Sequence, residues 1–184
     1  MSRLEPIRPE EQDSEQRALY ASITGGPRAD GPQHFALTTP DGALTGPFNA
    51  FLLSPGVGGA LERLGAAVRY ETGLTGRTRE LAILAVAAHW SSTFEWTAHE
   101  AVGRAAGLTD EELGAVRRGE VPALDDPQER ASAELVRCLL RGEVSDDEWA
   151  RWAEPLGSRA VFELSALVGY YAALALQLRV FRAG

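Results

Sequence analysis

Glu80, Glu95 and His99 are acid–base side chains at spacings that bring them within reach of one another. Ser92, Glu95 and His99 lie three and four residues apart, so a helix carries them on one face, within roughly 60° of arc. Glu80 opens the run Glu80-Leu-Ala-Ile-Leu-Ala-Val-Ala-Ala-His89, which is apolar all round except at its ends and reads as a buried helix. An acidic group in a buried helix, facing a short polar row, reads as a site rather than as core. If the two helices pair antiparallel and turn near Ser91, Glu80 is eleven residues before the turn and His99 eight after it. Those depths are about 16 Å and 12 Å, near enough for contact directly or through one water. Glu95 and His99, four apart, also meet along one helix. A neighbouring carboxylate fixes the tautomer of an imidazole and raises its basicity. Burial pushes a carboxylate pKa up while an imidazolium pulls it down, and such opposed pairs suit proton transfer.

Other residues are candidates for holding a substrate. Arg77 and Arg79 offer bidentate forks for a carboxylate. Ser92, His89, Trp96, Asn49 and Tyr170 are candidate wall or contact residues. Each has a plainer reading: Glu80 pairs with Arg77 or Arg79, Ser92 is a helix N-cap, His89 favours a helix C-terminus, and Trp96 packs in the core. His89, Glu95 and His99 also have metal-ligand types, although their spacing fits no standard metal signature.

Composition narrows the classes. A chain of 184 residues is read as one domain, with an N-terminal helix and long loop over 1–45 and a helical core over 46–184. Net charge is -8, which disfavours nucleic acid and anionic membrane surfaces. All 18 basic residues are Arg, which rules out a lysine Schiff base and a P-loop lysine. Cys138 is the only cysteine, so neither an intrachain disulfide nor an intrachain dithiol pair is possible. The opening residues carry no apolar signal region, and the apolar stretch 161–178 is interrupted by Glu163, Ser165 and Gln177. A cytoplasmic protein with no membrane span is the expectation.

The elements that position the candidates read as helices throughout. A first helix is expected over 8–24, opened by Pro9 and stopped at Gly25-Gly26-Pro27, followed by a long irregular loop over 25–47. A helix over 55–71 carries Val57, Leu61, Leu64 and Val68 at helical spacing. Thr75 caps the buried helix, and Gly107 closes its partner. Thr109 with Glu112, Asp126-Pro127 and Ser145 with Glu148 are further helix starts. The last helix is expected from about 158 to 181. No stretch alternates with period two between hairpin turns, so an all-α fold without sheet is predicted. Glu80-Leu-Ala-Ile-Leu is echoed by Glu163-Leu-Ser-Ala-Leu, a faint sign of two similar halves.

Glu80-Leu-Ala-Ile-Leu, then Ser92-Thr-Phe-Glu95-Trp96-Thr-Ala-His99-Glu100, then Ala106-Gly107-Leu108 resembles the carboxymuconolactone decarboxylase and alkylhydroperoxidase D-like family. Gly46-Pro-Phe-Asn49 and Gly169-Tyr-Tyr171 are similar to its longer, decarboxylase-type members. The resemblance extends over about 45–180 and is most specific over 75–108. It implies an all-helical fold assembled into a homo-oligomer, a trimer or hexamer. In the peroxidase branch an acid stands twelve residues before a Cys-x-x-Cys-x-x-x-His motif. Glu80 matches that acid and His99 the histidine, but Ser92 and Glu95 stand at the two cysteine positions. Serine and carboxylate have no thiol redox chemistry, so dithiol peroxidase activity is not expected. The decarboxylase branch implies an acid–base reaction without a cofactor, in which a small lactone or carbonyl carboxylate takes up its own electrons. Proton donation then falls to His99, with Glu80 and Glu95 setting its charge. A metal-dependent variant and a non-catalytic oligomeric binding member are the alternatives.

Overall fold

The computed structural model describes residues 2–26 and 36–183; the middle of the expected loop, 27–35, lies outside the described residues. Among the described residues the chain is helical and has no strand; one isolated β-bridge joins Thr38 to Leu44. The helices are α1 (Ser14–Gly25), α2 (Pro47–Phe51), α3 (Pro55–Tyr70), α4 (Gly76–His89), α5 (Thr93–Ala105), α6 (Asp110–Arg117), α7 (Pro127–Arg141), α8 (Asp146–Glu148) and α9 (Glu154–Phe181). A π-helical turn, Trp149–Ala153, joins α8 to α9, and Gly157 interrupts α9 near its start with φ 79°.

Local chemistry sets most of the boundaries. Thr75 accepts a hydrogen bond from Thr78 N–H and caps α4, and Ser92 accepts from Glu95 N–H and caps α5. Thr109 and Ser145 form capping boxes with Glu112 and Glu148, and Asp126 caps α7 by accepting from Gln128 and Glu129. Each such bond satisfies an N–H that the first turn leaves without a partner. The N-terminus departs from expectation. Pro9 opens only a short 3-10 turn, Pro9–Glu11, and the chain is extended at Gln12. Asp13 with Gln16 then makes the capping box that starts α1.

The helix α4 is apolar all round because it has neighbours all round: it packs against α5, α6, α7 and α9. Ile83 and Val86 join the main core with Leu164, Leu167 and Leu174 of α9, while Leu81, Leu84 and Ala87 join a second cluster with Trp96, Leu113 and Val116. The burial of α3 also differs from its pattern. Its inward side is Gly58, Gly59, Glu62, Gly65 and Val68, whereas Val57 and Leu64 stand exposed. Close approach explains this. A Cβ at Gly58 would lie 2.3 Å from the carbonyl oxygen of Phe51, so only glycine lets α3 pack this tightly on α2.

The stretch Asp146–Phe181 is long and apolar enough by length and composition to cross a membrane. In this fold α9 buries Leu164, Leu167, Val168, Tyr170, Tyr171, Leu174, Ala175 and Leu178 against the other helices. Phe162, Leu176 and Val180 remain exposed.

Candidate active site

The turn between α4 and α5 is made by Trp90, Ser91 and Ser92, with Ser91 in the left-handed region at φ 53°. It folds the two helices into the antiparallel pair that brings Glu80 to His99. Glu80 Oε2 lies 2.7 Å from His99 Nδ1, and both residues are buried, at 1% and 4% exposure. His99 Nε2 faces Glu95 Oε2 at 3.8 Å, one helical turn back along α5. The imidazole thus stands between two buried carboxylates. Because an ionised carboxylate only accepts, Nδ1 carries the proton given to Glu80, and Nε2 is the ring nitrogen turned toward Glu95.

The electrostatics favour that assignment. Burial pushes the Glu80 carboxyl up, but the His99 hydrogen bond and charge, with Arg69 and Arg79, outweigh it and hold it below the ordinary carboxylate value. Glu80 Oε1 is buried without a hydrogen-bond partner. Arg79 Nε lies 3.5 Å from it, close enough for charge attraction but without hydrogen-bond geometry.

The ring of His99 meets Tyr171 edge to face at 5.3 Å, and Tyr171 meets Tyr170 in the same way at 5.2 Å. Burial pushes the Tyr171 hydroxyl well up, so it stays protonated. These side chains line a hollow of about 20 Å³ together with Phe48, Arg69, Phe94, Glu95 and Leu174. That volume holds about one water. Phe94 also lines an outer cleft of about 450 Å³ that includes Ser92, Leu178 and Arg179. The Phe94 ring lies on the backbone at Gly46, where a Cβ would approach it to 2.3 Å.

Of the residues expected from sequence, Glu80, Glu95, His99 and Tyr170 come together, and the others do not. Arg77 is committed elsewhere: it bonds Glu129 at 2.9 Å, Glu112 at 2.7 Å and the carbonyl of Gly107, tying α4 to α6 and α7. Arg79 pairs by charge with Glu80 and does not line the hollow. Asn49 spends both ends of its amide on the N-terminal segment, accepting from Ile7 N–H at 2.9 Å and donating to the Glu5 carbonyl at 3.0 Å. Trp96 packs in the second cluster, with Arg117 over its ring at 5.0 Å. Ser92 is the α5 cap and opens on the outer cleft. His89 is exposed and lines a separate cavity of about 270 Å³ with Leu81 and Val116, so it does not converge with Glu95 and His99 as a ligand set. Among the described residues no group of three His, Cys, Asp or Glu side chains has metal-holding geometry.

Glu163 does not repeat the role of Glu80. It pairs with Arg159 at 2.8 Å and accepts from Gly73 N–H at 2.9 Å. Cys138 is fully buried, and burial, then Glu148, pushes its thiol up. Arg69 and Phe94 are the wall residues that pattern reading missed. A signal for Arg69 was present: it continues the row Gly58, Glu62, Gly65 at intervals of four, three and four, the side on which α3 packs inward.

No curated protein matches the chain. Residues 55–137 match the model of the carboxymuconolactone decarboxylase family, a span running from α3 through most of α7 that contains Arg69, Glu80, Glu95 and His99. The likeness to that family covers 83 of the chain's 184 residues.

Proposed function

We propose that this protein is a cofactor-independent acid–base enzyme, a lyase of the decarboxylase type acting on a small lactone or carbonyl carboxylate. The observation that carries the reading is the buried 2.7 Å contact between Glu80 Oε2 and His99 Nδ1, with Nε2 directed toward Glu95 and the hollow. In such a substrate the bond from carbon to the leaving carboxylate breaks and carbon dioxide departs. The electron pair is taken up by the conjugated ring carbonyl as a dienolate. His99 Nε2 then returns a proton to carbon, while Glu80 holds the imidazole in one tautomer and stabilises its charged form. Isomerisation or ring opening of a related carbonyl compound uses the same proton transfers. With a single cysteine in the chain, dithiol peroxidase chemistry is not part of this reading.

Assembly into a homo-oligomer, a trimer or hexamer, belongs to the proposal; it would cover Phe162, Leu176 and Val180 on α9. One observation favours a second reading, a non-catalytic oligomeric member of the family that binds a small molecule elsewhere or only a partner: the hollow beside His99 has room for about one water and none for a lactone.

Carboxymuconolactone is the first compound to assay, by carbon dioxide release and by deuterium uptake at carbon in heavy water. His99→Gln is expected to lower turnover by about 10²–10⁴-fold, the usual contribution of a positioned acid–base group, with its circular dichroism spectrum unchanged. Retained turnover and deuterium uptake in folded His99→Gln would refute the acid–base assignment.

A further inference from the structure

We infer that the cavity between α4 and α7 is a binding site for an amphipathic anion: a medium-chain acyl carboxylate, its chain on the apolar floor and its head at Arg117. The site is separate from the acid–base pair and does not depend on that reading. On α4 the residues that line it centre about 100° of arc away from Glu80.

The cavity has a cause in the sequence. Leu81, Ala85 and Ala88 of α4 form a row at intervals of four and three, and Ala133, Val136 and Leu140 of α7 form another at three and four. All six line the space of about 270 Å³ where the two helices pack. Half of them are alanine, and short side chains leave unfilled a groove that is normally close-packed. The end of α6 supplies the third wall. Gly119, at φ 76°, donates to the Val116 carbonyl at 2.9 Å, and Glu120 N–H donates to the Ala115 carbonyl at 3.0 Å. That left-handed turn stops α6 and brings Val121 and Pro122 to the cavity wall.

Polarity is sorted by depth. Leu81, Val116 and Val136 are buried and the three alanines half-buried, whereas His89, Arg117, Arg118, Arg137 and Arg141 are exposed. In a chain of net charge -8, four arginines around one apolar hollow reverse the local sign. Three of them have acids of their own: Arg118 has Glu120 at 2.7 Å, Arg137 has Glu134 at 2.9 Å and Arg141 has Glu148 at 2.7 Å. Arg117 has no hydrogen bond or ion pair among the described residues; its guanidinium carbon sits 5.0 Å over the Trp96 ring. Stacking on an aromatic face orients the fork and leaves the N–H groups at its edge open to an acceptor. The acceptor that fits is a carboxylate. Leu81 to Ala88 spans about 10 Å along α4, roughly the reach of an extended octanoyl chain. A groove between two helices is long and narrow, which suits a linear chain better than a ring.

Octanoate, butanoate and neutral octanol are the probes, titrated into the intact protein by calorimetry. With each buried methylene worth about fourfold, butanoate is expected to bind at least about tenfold more weakly than octanoate. Arg117→Gln should lose about 3- to 10-fold in octanoate affinity, between the scales of a surface ion pair and a charged hydrogen bond, and nothing for octanol. Ala133→Leu fills the hollow and should cost at least about tenfold for octanoate; Ala88→Leu does the same from the other wall and gives the readout if Ala133→Leu does not fold. His99→Gln should bind octanoate as wild type does. Octanoate binding that is absent from wild type, no tighter than butanoate, or indifferent to Arg117→Gln or to the leucine variants overturns the inference, as does its loss in folded His99→Gln. A wild type that binds no octanoate, with an oligomeric state that changes in Ala133→Leu by analytical ultracentrifugation, overturns it in favour of a second copy of this chain seated in the cavity.

Discussion

Replacing Glu80 by Gln keeps the shape of the side chain and removes its charge. Two opposed effects decide the sign. Taking a carboxylate out of water is costly, and Gln recovers that cost. Against it, the carboxylate accepts a charge-assisted hydrogen bond of 2.7 Å from His99, with Arg79 at 3.5 Å adding attraction. The Glu80 carboxyl sits below its ordinary value of 4.5 despite burial, so the attractive contacts win and the charged form is favoured in the fold. A charge-assisted bond is worth about 1.5–3 kcal/mol and roughly twice a neutral one, and the Gln carbonyl can still accept from Nδ1–H. The net loss is then about 1–2 kcal/mol at neutral pH. In a chain of this size that lowers Tm by roughly 2–8 °C. The sign with pH follows from linkage. A folded-state pKa below the unfolded one means that the unfolded chain binds more protons between the two values. The contribution of Glu80 is therefore fully present above about pH 4.5 and is lost as pH falls through the lower folded value. Thermal unfolding followed by circular dichroism from neutral to acid pH should show wild type and Glu80→Gln converging in acid. Nitrogen NMR of His99 should show the Nδ1–H tautomer in wild type and a mixture in the variant. A Glu80→Gln protein as stable as wild type at neutral pH, with the same His99 tautomer, would refute the claim that this contact organises the imidazole.

Phe94 lines both the hollow of about 20 Å³ and the outer cleft of about 450 Å³, so Phe94→Ala should join them. The expected result is faster turnover of any compound the wild type is found to convert, or faster solvent exchange at the His99 ring by NMR, at a stability cost below the ~3–5 kcal/mol of a fully buried Phe; unchanged rates would show that entry lies elsewhere. Glu148 is held down to about 2, first by Arg141 at 2.7 Å and then by the Ser145 N–H. Its stabilisation is present above pH 4.5 and lost between there and about 2, and Arg141→Gln should return its titration, read by carbon NMR, toward 4.5.

Much of the frame is legible in sequence because its causes are local. The caps at Thr75, Ser92, Thr109, Asp126 and Ser145 bond backbone two or three residues on, and such contacts follow from spacing alone. The meeting of Glu80 and His99 is nearly local too: a short turn at Ser91 leaves two helices little choice but to pair, and residue counts give the depth of each side chain. What sequence could not give is rotation. A helix apolar all round, such as α4, has no preferred side, so nothing in its pattern says that Arg77 points to α6 and α7 or that Arg79 stays beside Glu80. The sides of α3 are set by how closely glycines let it approach, not by where its large apolar residues fall, and so Val57 and Leu64 are exposed while Arg69 reaches the hollow. Asn49 and Trp96 are polar-edged residues near the right stretch of chain whose partners, the N-terminal segment and α6, come from far along it. The sequence by itself determined that a carboxylate and an imidazole would face each other across a hairpin. Only the packing of α3 and α9 against that hairpin decided which cation and which aromatic rings complete the site, because those contacts depend on helix rotation and approach distance, which no single segment encodes.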